Sequence, residues 1–292
     1  CLAQPDLMIR VGKVNRLLEL SAERSSTPLF GLQLSRTRRL SSLGALGALM
    51  RDESTVRDAM RRFIASTHLN STAFWMQLQE HDGIALLRTA IDPDGVPLVR
   101  QGTELAVGGL FRVLQQFLGT DWTPREVHFL HDAAGGAGPV RRFFGCPVRY
   151  ASEFNGLVLH APDLDHAIPL SDPALRRYAS AAVAEVGPRQ GRVTVHRVRQ
   201  QILTLMPDGH CSASTVAASL GMDRRTLNRH LEAQGLNFLR VHDEVRLELA
   251  RRYLVSRQRK VSEVAELLAF NSVSSFSRWF KRKTAAAPSR WQ

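Results

Sequence analysis

The sequence predicts two domains: an α+β amino-terminal domain, then an all-α carboxy-terminal domain with two helix-turn-helix motifs joined by a long helix. Three observations predict it. Charge is divided unevenly, with 20 Lys and Arg against 19 Asp and Glu in residues 1–188 (net +1) and 19 against 8 in residues 189–292 (net +11). Apolar spacing mixes strand alternation with helical periodicity in the first part, without βαβ regularity, and is helical in the last hundred or so residues. Finally, a short apolar helix, a tight break and a basic helix occur twice, with Arg229 and Arg278 49 residues apart in matching places.

The whole-chain numbers restrict the class. A chain of 292 residues with 44% apolar and 23% charged residues is ordinary for a globular protein with a core in each of two domains. No run of eighteen apolar residues exists, and residues 43–50 are too short and Gly-rich to span a membrane. Cys1, Cys146 and Cys211 are isolated, with no CxxC pair, which fits a reducing cytoplasm. The chain opens on Cys rather than Met, so the numbering is expected to start inside a longer product; no signal-peptide pattern is visible. The +11 of the last third is the footprint of a polyanion. A membrane surface is the rival partner, but the apolar helix faces here have neighbours to pack on rather than lipid to enter.

Taken in order, residues 9–22 form a helix with Val11, Val14, Leu17, Leu18 and Leu20 as its apolar set. Ser54 or Thr55 opens a second helix with Val56, Met60, Phe63 and Ile64 inside. FWMQLQEHDGIALLRTAI reads as a hairpin turning at His81-Asp82-Gly83, and Asp92-Pro93-Asp94-Gly95 is a further turn. Residues 104–118 are helical, residues 126–130, 148–150 and 154–160 are strands, and residues 140–144 a short helix after the Gly-rich loop at 135–138. A helix at 175–185 closes the first domain, residues 1–185, and residues 186–192 are the linker. The second domain, residues 193–292, opens with a helix at 193–205 stopped by Pro207-Asp208-Gly209, and residues 238–255 form the long helix between the motifs.

The helix-turn-helix units span about residues 212–234 and 261–284. In the first, Val216, Ala217 and Leu220 face inward, Gly221 turns the chain, Asp223 caps, and Leu227 and Leu231 anchor the recognition helix. In the second, Ser262 is expected to cap a helix with Val264, Ala265, Leu267 and Leu268 inside. A break at Asn271-Ser272 follows, and then a helix with Phe276, Trp279 and Phe280 inside.

The run VSEVAELLAF…SSFSRWFKRKTAAAPSRW, with ASTVAASLGMDRRTLNRHL before it, resembles the paired helix-turn-helix of the AraC/XylS family of transcriptional regulators. This chain carries Ala269 and Ala285 where that family usually has Gly, Trp291 where it usually has Tyr, and Asp223 where it usually has Ser. Neither alanine removes a DNA contact, but each is expected to cost stability if its turn needs positive φ. FGLQLSRTRRLSSLGALGALM, STVRDAMRRF and FFGCPVRYASEFNGLVLHAPDLDHAIPLSD resemble the arabinose-binding-like effector and oligomerisation domain of a subgroup of that family. The resemblance implies an α+β domain rather than a jelly roll, and the label is no guide to arabinose as ligand.

On the exposed faces of the recognition helices, Arg225, Asn228 and Arg229 and then Ser274, Ser275 and Arg278 are the base-reading candidates. Arg holds guanine O6 and N7 together and Asn holds adenine N6 and N7, whereas Ser discriminates less. His230, Arg240, Lys281, Arg282, Lys283 and Arg290 are phosphate candidates, which position without specifying; each is alternatively a solvated charge. Two linked recognition helices are expected to enter successive major grooves roughly 34 Å apart, with the long helix setting the spacing and DNA bending to suit.

Catalytic readings are weak. Some relatives in the family carry a methyltransferase Cys within Pro-Cys-His-Arg, but here Gly145-Cys146-Pro147 has no His following, and Cys146 reads as a buried apolar thiol. His128, His131 and Asp132 lack a further metal ligand nearby in sequence, Glu80-His81-Asp82 reads as turn chemistry, and the Gly-rich loop lacks the Lys-Ser/Thr of a phosphate cradle. No catalytic residues, metal or cofactor are expected.

The reading is thus a cytoplasmic, sequence-specific DNA-binding regulator, an activator by resemblance, controlled by a small-molecule effector, acting as a homodimer with RNA polymerase as a further partner. The alternative is a ligand-independent DNA-binding protein whose first domain only dimerises or docks a partner. Trp75, Gln77 and Arg100 supply an aromatic, an amide and a cation as effector-pocket candidates.

Overall fold

The computed structural model describes residues 9–71, 74–91, 99–133, 136–169, 195–206, 211–255 and 259–291. The chain divides into two compact units, residues 1–189 and 190–292, each with its own core. The turn at 92–95, the helix at 175–185, the linker at 186–192 and the Pro207-Asp208-Gly209 stop fall outside the described residues.

The first unit is built on a five-stranded sheet: β1 (Phe74–His81), β2 (Ile84–Ile91), β3 (Glu126–His128), β4 (Val148–Arg149) and β5 (Asn155–His160), in the order β1-β2-β5-β3-β4. Only β3 and β4 pair in parallel. Asp82 and Gly83, with φ of 46° and 75°, make the two-residue hairpin turn whose positive dihedrals match the strand twist. Because successive side chains alternate faces, Met76 and Leu78 of β1, Ala85 and Leu87 of β2 and Leu157 and Leu159 of β5 share the core face.

Among the described residues, the first unit also has helices α1 (Val11–Arg24), α2 (Phe30–Ser35), α3 (Ala45–Arg51), α4 (Val56–Asn70), α5 (Arg100–Leu118) and α6 (Ala137–Phe144). Thr55 caps α4 by accepting the Asp58 N–H at 3.2 Å. On α1 the buried stripe is Gly12, Asn15, Leu18 and Ala22, one residue per turn, so Leu17 and Leu20 fall on the opposite side, Leu17 at 64% exposure. The expected apolar set of this helix was therefore only partly its core face. Helices α2 and α3 were not anticipated. Gly31 of α2 lies so close to α5 that a Cβ there would sit 2.0 Å from the Gln101 carbonyl oxygen, and this requirement replaced a helix former with a residue that reads as a turn. Residues 140–144 are the end of a longer helix, and Gly145, φ 68°, terminates it.

The second unit is helical: α7 (Val195–Leu205), α8 (Ala213–Ser219), α9 (Arg224–Glu232), α10 (Phe238–Val255), α11 (Val261–Leu267) and α12 (Val273–Thr284). Val241, Val245, Leu249, Ala250 and Leu254 give α10 a buried stripe, and at 18 residues it is about 27 Å long. Asn237 starts it, accepting the Arg240 N–H at 2.8 Å.

Candidate nucleic-acid interface

Local capping defines the first helix-turn-helix. Ser212 and Thr215 exchange bonds at the start of α8, the Thr215 N–H reaching Ser212 Oγ at 3.1 Å and the Ser212 N–H reaching Thr215 Oγ1 at 2.9 Å. The helix ends when the Met222 and Gly221 N–H groups close on the Ala217 and Ala218 carbonyls, both at 3.0 Å, with Gly221 at φ 72°. Asp223 then caps α9 by accepting the Thr226 N–H at 2.8 Å, and that bond holds its carboxyl below the usual range. Leu227 and Leu231 are fully buried, while Arg225 and Arg229 are exposed and Asn228 is half-buried. Arg224, at the first position of the helix beside the Asp223 cap, is exposed as well and was not among the sequence candidates.

The second helix-turn-helix repeats this plan with different residues. Helix α11 starts at Val261 rather than at an Ser262 cap: Glu263 reaches back to accept the Lys260 N–H at 3.0 Å, leaving Ser262 exposed inside the first turn. Its end is the same closure as in α8, with the Phe270 N–H on the Ala265 carbonyl (2.9 Å) and the Ala269 N–H on the Glu266 carbonyl (2.8 Å). Here Ala269 occupies the left-handed position, φ 55°, and Ala285 does the same after α12, φ 61°. Both family glycines that this chain lacks stood where positive φ is required. Ser272 caps α12 through the Ser275 N–H at 3.2 Å.

Phe276, Trp279 and Phe280 form the inner face of α12, and Trp291 meets Phe280 edge-on at 5.6 Å, so the Trp in place of Tyr serves as packing. Ser274 and Arg278 are exposed on the outer face. Ser275 departs from its expected place in the base-reading set: its hydroxyl lies 2.9 Å from Ser272 Oγ and is engaged in the cap.

The phosphate candidates divide. Lys281, Arg282 and Arg290 are exposed, and His230 is half-buried. Lys283 instead pairs with Asp243 at 2.8 Å and Arg240 with Glu244 at 3.2 Å, both on α10. Two rings are also gripped by α10 cations, with Arg246 4.5 Å over Phe270 and Arg251 5.5 Å over Trp291. The long helix is thus bonded to the turn, the recognition helix and the end of the second motif, and through the shared core to the first.

In the first unit, the three effector candidates do not meet. Trp75 and Gln77 alternate with Met76 and Leu78, so they lie on the sheet face away from the core. Arg100 belongs to α5, whose apolar face lies in the core, and donates to the Pro28 carbonyl at 2.9 Å.

The catalytic candidates are occupied structurally. His128 lies 2.7 Å from Ser152 Oγ and 3.1 Å from Glu126, and stacks on Phe154 at 4.6 Å. Burial lowers its basicity, and burial pushes the Cys146 thiol up to about 12, so the nucleophilic thiolate is disfavoured near neutral pH. Glu80 is in an ion pair with Arg57, which also holds Asp165 at 2.7 Å, so it does more than turn chemistry. Among the described residues, no group of three or more His, Cys, Asp or Glu could hold a metal, and no helix is long and apolar enough to cross a membrane.

A helical domain with two capped helix-turn-helix motifs on one linking helix, behind an α+β domain, defines the class of helix-turn-helix transcription regulators. Residues 1–168 match the family described as the amino-terminal arabinose-binding domain of AraC transcription regulators, and residues 216–292 match a helix-turn-helix domain family. The chain belongs to the AraC family of transcription regulators. It is 27% identical to the HTH-type transcriptional regulator VirS of Mycobacterium tuberculosis over 99% of this chain and 86% of that protein. It is 26% identical to the ornithine utilization regulator of Pseudomonas aeruginosa over 95% and 82% of the two chains. The solved structure of the transcriptional regulator CdpR from Pseudomonas aeruginosa aligns over 90% of this chain and 86% of its own, at 23% identity and a TM-score of 0.45.

Proposed function

We propose that this regulator reads its operator through Arg225, Asn228 and Arg229 in one major groove and Arg278 with Ser274 in another, and that Lys281, Arg282, Arg290 and His230 fix it on phosphates. The observation that carries this is the exposure of Arg225, Arg229, Ser274, Arg278, Lys281 and Arg282 on helices whose opposite faces are locked into one core. Lys283 serves first as a tie to α10, Arg240 pairs within α10, and Ser275 serves the cap. The protein works in the cytoplasm, as a homodimer, activating transcription with RNA polymerase as partner, and catalysis has no part in its function. Residues 186–192 link the effector domain to the DNA-binding domain.

The test is footprinting of the full chain on DNA upstream of its own and adjacent genes at two salt concentrations. Protection of two grooves roughly 34 Å apart that survives competitor DNA is the expected result. Binding that disappears as salt rises, without a footprint, would reduce the basic domain to an electrostatic patch.

A further inference from the structure

The amino-terminal domain buries polar atoms that its own fold leaves without partners, and four of them gather where the start of α5 meets the ends of β3 and β4. Glu104, 1% exposed, has Oε1 3.7 Å from His131 Nε2, too far for a hydrogen bond. The His131 and Tyr150 rings are 5.8 Å apart. Arg100 lies one helical turn before Glu104, on the same face of α5. Arg100 Nη1, Glu104 Oε2, His131 Nε2 and Tyr150 Oη are each buried with no hydrogen-bond partner among the described residues.

Not every polar group here is left unpaired: Gln101, next to Arg100, is fully satisfied, although Asn15 Nδ2, whose side chain packs at Gly102, also lacks a partner. Gln101 Oε1 accepts the Gly31 N–H at 2.7 Å, its Nε2 donates to the Pro28 carbonyl at 2.8 Å, and its backbone N–H donates to Glu19 at 2.8 Å. Arg100 spends Nη2 on the Pro28 carbonyl and keeps Nη1 unpaired. Burial raises Glu104 from the ordinary 4.5 to about 7, opposed by Arg100, so the two charges feel each other without bonding. Unpartnered buried groups are costly, and four at one place need a reason.

Their chemistry restricts the ligand. Arg100 Nη1 can only donate, and to an anion best. A Glu104 carboxylate only accepts. His131 Nδ1 lies 2.9 Å from the Asp132 carbonyl, so it carries the ring proton and leaves Nε2 as an acceptor. A simple anion would satisfy Arg100 and face Glu104, a simple cation would do the reverse, and a neutral polyol would neutralise neither. We propose that Arg100, Glu104, His131 and Tyr150 form the effector site of this domain and that its ligand is a small zwitterion of the amino-acid class. Its carboxylate meets Arg100 and the Tyr150 hydroxyl, and its ammonium meets Glu104 and His131 Nε2. This rests on the reading of the domain as an effector domain. The four atoms are sealed from solvent, so the ligand enters as the surrounding elements open and is enclosed as they close, which is how binding shifts a population of conformers.

The test is thermal unfolding of the full chain with each common amino acid at about 10 mM, alongside arabinose, succinate, putrescine and a fatty acid, followed by calorimetry on any hit. At least one amino acid is expected to raise the unfolding midpoint by several degrees. Its affinity is expected to fall about tenfold or more in Tyr150→Phe, which removes only an unpaired hydroxyl, and in Glu104→Gln. A non-zwitterionic probe that stabilises wild type and both variants alike overturns the site while leaving effector control standing. If no amino acid binds but a small-molecule cell extract still alters the operator footprint, the proposal likewise fails and effector control survives. If neither happens, effector control fails with it.

Discussion

Replacing Ala269 and Ala285 by glycine tests whether this chain carries strain at both positions where its family usually has Gly. Their φ values of 55° and 61° put both in the left-handed region, which costs an L-residue about 1–2 kcal/mol. Both side chains are exposed, so deleting the methyl groups forfeits little packing. Glycine loosens the unfolded chain by about 0.4–1 kcal/mol, leaving a net gain of about 0.5–1 kcal/mol at each site. The sites lie at opposite ends of α12 and share no hydrogen bond, so the double variant gains about 1–2 kcal/mol. For a domain the size of residues 190–292, this moves the midpoint up by roughly 5–10 °C. Calorimetry of the full chain reads that transition directly. Gly221→Ala and Gly235→Ala are matched controls, each at φ 72° with no atom within 4 Å of the place a Cβ would take, so only the dihedral is tested. They are expected to lose about 1 kcal/mol. A double glycine variant that melts at or below wild type, while the controls lose stability, would refute the assignment of strain to Ala269 and Ala285.

Arg229→Ala and Arg278→Ala are expected to lose about 1–3 kcal/mol of operator affinity with relaxed sequence preference; equal weakening on random and specific DNA would exclude base reading. Lys281→Ala is expected to weaken all DNA alike and reduce the salt slope by about 1, and Lys283→Ala to reduce it less, because that cation is already paired with Asp243. Glu104 has a folded value of about 7 against 4.5 unfolded, so the folded state binds the extra proton between those values and stability falls as pH rises through that window. Glu104→Gln removes the dependence, and its advantage over wild type is expected to grow by about 3 kcal/mol from pH 4.5 to 7 and then level off, as measured by denaturant unfolding. Arg100, Glu19, His131 and Tyr150 face the group; His131, lowered by burial, destabilises both proteins below its ordinary range and cancels in the difference. Gly31→Ala is expected to lose about 1–3 kcal/mol in the same unfolding assay, since the added methyl meets backbone.

What could be read in the sequence was what short-range chemistry encodes. Asp82-Gly83, the Asp223 cap, Gly221 and the aromatic spacing of Phe276, Trp279 and Phe280 each act within a few residues, and the structure has them as expected. Helices α2 and α3 escaped because Gly31 and Gly47 answer to backbone elsewhere, the Gln101 and Leu40 carbonyls, and a close approach leaves no local signature. The polar cluster escaped for a similar reason. Residues 100, 104, 131 and 150 are ordinary singly, and only burial together, without partners, gives them meaning. Trp75 and Gln77 suggested a pocket with Arg100, but strand parity assigns them to the other face of the sheet.

The distribution of charge in the second unit follows one logic. Its linking helix presents Asp243, Glu244 and Glu248, and these take up Lys283, Arg240 and Arg199, the last at 2.7 Å from Glu248. Arg246 and Arg251 are set over the rings of Phe270 and Trp291. Lys283, Arg246 and Arg251 therefore tie the linking helix to the second motif and the residues after it, Arg199 ties it to α7 and Arg240 pairs within it, while Arg225, Arg229, Arg278, Lys281 and Arg282 stand exposed on the recognition helices. Exposed pairs of this kind each contribute only about 0–1 kcal/mol, too little to explain the fold, which the shared core supplies. Their consequence is for binding: a net +11 overstates the charge free to meet phosphate, and the salt dependence of operator binding should report the smaller, unpaired set.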